Sequence, residues 1–188
     1  MSPPMIESKK GEREAILETA KLMLVSARTA PKTSGKDDLQ TLIIYGKEKN
    51  VIADKMDEIG EKRKIEGFKR DAQNVRDSEA VVLIGVRGKK SLGLNCGSCG
   101  YKDCAEFDHA KKKTGKDFAG PTCLFKALDL GIALGSATKT ASTLNVDNRI
   151  MYRIGTAAFK LKLLPEATVI MGIPLSAKGK NIYFDRSK

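Results

Sequence analysis

The sequence predicts an α+β fold, helices packed on a small mixed sheet, and three observations carry that expectation. Three short apolar runs rich in β-branched residues, at 39–45, 80–86 and 167–174, have the length and composition of strands. Around them, apolar residues recur every three or four positions, as on one face of a helix. With 188 residues, 41% of them hydrophobic, the chain can bury one core, so a single domain over 1–188 is expected.

The first element is a helix from about Glu7 to Arg28, with Ile16, Ala20, Met23, Leu24 and Ala27 on one face and Pro31 closing it. A loop over 29–38 leads to a strand from Leu39 to Tyr45, ended by Gly46. Val51, Ile52, Met56 and Ile59 predict a helix from Lys49 to Lys64, interrupted near Gly60, and Gly67 and Phe68 open a further segment to Ser78. Ala80 to Val86 is apolar throughout, as in a central strand. A long helix rich in small residues is expected from Leu124 to Leu144, suited to close packing against another helix, including one from a second subunit. Asp147 can cap a helix to Ile154; Gly155 would stop it, and Thr156 would begin another ending at Pro165. The last strand, 167–174, is expected to end at Pro174.

Between the second strand and the long helix lie all four cysteines, Cys96, Cys99, Cys104 and Cys123, spaced C-x2-C-x4-C-x18-C. Gly93, Gly97 and Gly100 let the backbone adopt positive φ and wrap a compact object, turning N–H groups toward thiolates. Structural zinc usually takes two separated close pairs, whereas here three ligands share one loop, which favours an iron–sulfur cluster over zinc. Disulfides are the third reading. The polar opening of the chain shows no signal peptide, which disfavours an oxidising compartment and points to the cytoplasm. His109, the single histidine, stands among lysines and receives no role.

Asn95 to Phe107, with the return through Gly120, Pro121, Thr122 and Cys123, resembles the four-cysteine domain that binds a four-iron four-sulfur (4Fe-4S) cluster in corrinoid iron–sulfur proteins and in a subunit of ion-pumping electron-transport complexes. That resemblance covers an insert over 92–125. It implies all four cysteines as ligands, a helix starting near Cys104, and a return loop ending at Pro121. The family often has Phe-Ala where this chain has Phe107-Asp108. A second resemblance, to flavin-dependent nitroreductases, rests on Glu14 to Pro31 with the following strand, on Leu128 to Gly135, and on Val169 to Pro174 with trailing basic residues. It implies a nitroreductase-like fold, a homodimer, and FMN held by basic residues, for which Arg28, Lys36, Lys178, Lys180 and Arg186 are the phosphate candidates. The chain lacks that family's arginine-rich opening segment and its Asn and Gln-Pro-Trp near the flavin ring. Over nearly its full length it resembles a family of microbial proteins described as containing a ferredoxin-like domain.

The net charge of +11 is unevenly placed. Residues 1–110 hold 20 Lys+Arg against 18 Asp+Glu, a difference of +2, and residues 111–188 hold 14 against 5, a difference of +9. Such a field suits an anionic partner, foremost an acidic redox protein. Nucleic acid is disfavoured, since aromatics are 5% and no reading motif is present. No apolar run is long enough for a membrane helix. The functional expectation is a 4Fe-4S electron-transfer protein, with or without flavin; the alternative is a module that metal merely staples together.

Overall fold

Four strands, β1 (Leu39–Tyr45), β2 (Ala80–Val86), β5 (Asp147–Asn148) and β6 (Val169–Ser176), form a sheet in the order β1-β2-β6-β5 in the computed structural model, which describes residues 4–184. Every pairing is antiparallel, where a mixed sheet was expected. The central strand β2 is buried at all seven positions because helices cover both of its faces.

Alternation along β2 divides the core in two. Ala80, Val82, Ile84 and Val86 face α1 (Ser8–Thr29) and α5 (Leu124–Thr143), meeting Ile16, Met23, Leu130 and Ala137. Val81 and Leu83 face α2 (Asn50–Arg63), α3 (Glu66–Asp77) and α6 (Tyr152–Lys160), meeting Ile52, Met56, Phe68 and Ile154. Each fully buried aliphatic side chain contributes roughly 1.5–3 kcal/mol relative to exposure. The result is a helix–sheet–helix sandwich, the α+β architecture the sequence predicts. No helix among the described residues is long and apolar enough to cross a membrane.

Several boundaries differ from expectation, each for a tertiary reason. Helix α2 runs through Gly60 without interruption. A Cβ there would stand 2.8 Å from the Phe68 Cβ, so the glycine serves the close approach of α3. Gly155 likewise lies inside α6 instead of ending a helix, and a Cβ on it would stand 1.7 Å from the Ile170 carbonyl oxygen. Asp147 caps no helix: it pairs with Ser176 in the sheet, and its carboxylate accepts from Asn181 at 2.9 Å. Thr156 therefore starts no helix, since α6 begins at Tyr152 and ends at Lys160.

Pro174 lies within β6, two residues before its end. Gly172 exchanges backbone bonds with Met151, so Pro174, on the same side, faces the gap between Met151 and Asn148 where no ladder bond is required.

Candidate metal centre

The cysteine segment leaves the sheet at the end of β2 and returns beside it. Gly88 makes that return possible. Its carbonyl accepts from Cys123 N–H at 3.0 Å, and a Cβ on it would stand 2.3 Å from Thr122 Cγ2. Ala119 N–H donates to the Thr168 carbonyl at 3.0 Å, and Thr122 Oγ1 donates to Thr168 Oγ1 at 3.1 Å. Cys123 is thereby pinned against the strand end just before α5 begins. Lys126, buried in the first turn of α5, pairs with Asp38 at 2.7 Å and donates to the Arg87 carbonyl at 3.2 Å, fixing the helix to the same edge.

Between these anchors the chain wraps as its glycines allow. Gly93, Gly97 and Gly100 all take positive φ, and so does Asn95 at 49°. Asn95 clamps the start of α4 (Cys104–His109): Cys104 N–H donates to its Oδ1 at 3.0 Å, and its own N–H points at Cys104 Sγ at 3.3 Å. Asp103 caps α4 by accepting from Glu106 N–H at 2.8 Å. Asp108 accepts from both Ser91 N–H (2.7 Å) and Ser91 Oγ (3.1 Å). Asp108 thus ties the helix to the start of the loop without touching a cysteine. A two-residue hairpin, β3 (Lys113–Thr114) with β4 (Ala119–Gly120), completes the return.

All four cysteines line one small hollow, whose apolar wall includes Leu92, Tyr101, Phe107 and Phe125. Tyr101 and Phe107 meet edge to face, ring centroids 5.6 Å apart. Backbone N–H groups point at three of the sulfurs: Asn95 at Cys104, Leu124 at Cys99 (3.2 Å), and Ser98 at Cys96. The Ser98 N–H holds the Cys96 thiol below its usual value, with the Ser98 hydroxyl assisting. Burial pushes Cys99 up, opposed by the Leu124 N–H. Cys123 is buried and Cys96 exposed, so the hollow has a closed floor and a solvent edge. No disulfide joins any pair. Among the described residues no three His, Cys, Asp or Glu side chains converge as they would on a single metal ion. His109 is exposed, with Nδ1 2.7 Å from the Ala105 carbonyl, and does not line the hollow.

The phosphate candidates do not come together within one chain. Arg28 ion-pairs with Asp37, and Lys36 donates to the Leu92 carbonyl at 3.4 Å, both at the cysteine end of the sheet. Lys178 and Lys180 follow the far end of β6, an eight-residue strand's length away, roughly 26 Å. Arg186 lies outside the described residues. Lys178 instead joins a cleft lined by Arg13, Lys47, Lys49 and Arg76, four basic residues that sequence reading missed because they are scattered over three elements. Lys49 is buried there, donating to the Arg76 carbonyl at 2.8 Å, and burial pushes its pKa down.

A protein of Archaeoglobus fulgidus is 47% identical over 183 residues, covering 97% of this chain and 98% of its own length. Residues 119–186 match the family described as uncharacterized proteins containing a ferredoxin domain. The chain belongs to that ferredoxin-domain family. Among solved structures, an oxidoreductase containing FMN has a TM-score of 0.55 at 13% identity, over 95% of this chain and 70% of that one. A nitroreductase family protein from Clostridium novyi NT has a TM-score of 0.53 at 12% identity, over 97% of this chain and 79% of that one. At such identities the likeness is one of fold, and the fold of this ferredoxin-domain protein is nitroreductase-like.

Proposed function

We propose that this protein is an iron–sulfur redox protein in which Cys96, Cys99, Cys104 and Cys123 hold one four-iron four-sulfur cluster. The observation that carries the reading is the single hollow lined by all four cysteines, with backbone N–H groups directed at three sulfurs. Such N–H groups favour thiolate over thiol and suit a negatively charged cluster. A single zinc ion with Zn–S bonds of about 2.3 Å would draw the sulfurs to within roughly 4 Å of one another. Cys99 and Cys123 already stand within hydrogen-bonding reach of each other, so what favours the cluster is the layout, three ligands on one loop with the fourth alone, where structural zinc takes two separated close pairs. When bound, the cluster supplies one-electron transfer. The chain's own contribution is to bury the Cys123 side and leave the Cys96 side open to a partner. We take 92–125 as the iron–sulfur insert within one domain.

Flavin mononucleotide is the second cofactor we propose, with its phosphate in the cleft of Arg13, Lys47, Lys49, Arg76 and Lys178. Five basic residues against two carboxylates, Asp77 and Glu79, in its lining support this, as does a fold neighbour that contains FMN. A flavin exchanges electrons singly or in pairs, which would couple the cluster to two-electron chemistry. We further propose a homodimer. Leu124, Leu128 and Ile132 form an exposed, uncharged stripe along α5, a surface with nothing to recommend it to a charged partner.

Protein purified without oxygen is expected to contain about four irons per chain, absorb broadly near 400 nm and show a reversible couple by voltammetry. Stoichiometric zinc would overturn the cluster. Bound metal without a reversible couple would leave the stapled module as the better reading. Light scattering is expected to give twice the chain mass of 20.4 kDa.

A further inference from the structure

The C-terminal charge excess gathers in one place. A groove beside the cysteine segment is lined by Lys89 after β2, Lys112 and Lys113 after α4, and Lys160 and Lys162 at the end of α6, with Phe159 between them and no carboxylate in its lining. None of the five lysines has a salt bridge to a described residue. A second hollow continues the surface with Lys55, Lys62, Arg63 and Lys116, and the two share Lys160. Arg63 is partnered by Asp117, and Lys55 by Glu58 at 2.5 Å, but Lys62 and Lys116 add two further lysines without a salt bridge to a described residue.

We propose that this lysine surface is the docking site of an acidic electron-carrier protein, an inference that rests on the cysteines holding a redox cluster. Position is the first argument. The Lys112 ammonium lies 3.8 Å from the centroid of the Phe107 ring, and Phe107 is itself a wall of the cysteine hollow. A partner seated on the groove is therefore one aromatic side chain from the sulfurs. Extent is the second. A small anion is held by a few convergent, buried donors, whereas these ammoniums stand mostly exposed along two adjoining hollows, as suits a broad acidic face.

Chemistry is the third argument. The cations are nearly all lysines, hydrated point charges that steer an encounter without fixing bidentate contacts. Phe159 is the one aromatic residue in the lining of the groove, so unpaired bases have no series of platforms to stack on. The other basic cleft, at the far end of the sheet, carries Asp77 and Glu79 in its lining and lies a strand's length from the cysteines.

The test is calorimetric titration of the anaerobically purified protein with a purified acidic ferredoxin at low and high salt. Reversing Lys113, Lys160 and Lys162 together to Glu is expected to weaken binding about tenfold or more at low salt. Reversing Lys9, Lys10 and Lys21 on α1 makes the same change in net charge and is expected to alter it less than about threefold. Equal effects of the two triple variants, no effect of either, or no binding by iron-loaded wild type overturns the docking site. Duplex DNA bound through the groove as tightly as the ferredoxin also overturns it, in favour of nucleic acid. Iron is measured separately. An iron-free protein that still binds through the groove would strike the cluster reading and leave the surface standing.

Discussion

Strand β2 buries all seven of its residues, while the stretch from Ser91 to Cys123 buries only Leu92, Phe107 and Cys123. In the sandwich, apolar area removed from water on both sides of the sheet outweighs the entropy of ordering the chain. The cysteine segment lacks that area. It is held by directed contacts: the Asn95–Cys104 clamp, the Asp103 cap, the Asp108–Ser91 pair and the Cys123 to Gly88 bond. A polypeptide with so small a core orders well around a body that ties four side chains together, which is the role the proposed cluster fills.

That contrast can be broken at either end. The largest expected effect is on the cysteine segment: chelating the metal should abolish amide-exchange protection across 92–125 and leave β2 and α1 protected. Loss of protection throughout the chain would mean the two regions are one cooperative unit. In the sandwich, Gly155→Ala places a methyl group against the Ile170 carbonyl and should destabilise the fold by about 3 kcal/mol or more, read by urea denaturation. The four cysteines should still bind metal wherever that variant folds.

A third, smaller effect sharpens the same contrast through pH. Tyr183 is buried in the α2/α3/α6 core with its hydroxyl 2.8 Å from Ser78 Oγ, and burial pushes its pKa up to about 12. The unfolded chain ionises near the ordinary value of 10, so stability is retained below pH 10 and lost as pH rises from 10 toward 12. About 2 kcal/mol should disappear across that window, and Tyr183→Phe should flatten the profile. The cysteine segment, probed by its own absorbance, should not follow this titration.

Much of the fold was legible because burial and periodicity coincide. Strands 39–45 and 80–86 and helix 124–143 stand within a residue or so of where their patterns predict them. Glycine misled in both helices it was expected to break. At Gly60 and Gly155 the absent side chain admits a neighbouring element, and that neighbour lies far along the chain or across a turn. Asp147 misled similarly, since its capping potential was outcompeted by a strand partner 29 residues away. The cysteine spacing and the three loop glycines announced a metal loop, but Asn95 as a clamp had no sequence signal beyond its place before Cys96.

Local sequence alone determined most of the helices and strands, though not the strand at Asp147–Asn148 or the unbroken course of α6 through Gly155, together with which side chains can ligate and where the loop glycines turn with positive φ, because those are properties of neighbouring residues and of backbone sterics. Only the tertiary structure decided that lysines separated by more than seventy positions line one groove beside the cysteines, and that Arg28 and Lys178 stand at opposite ends of the sheet. The reason is physical: charges attract or repel through space, and the antiparallel register of the strands, set by burial, fixes which distant residues share that space.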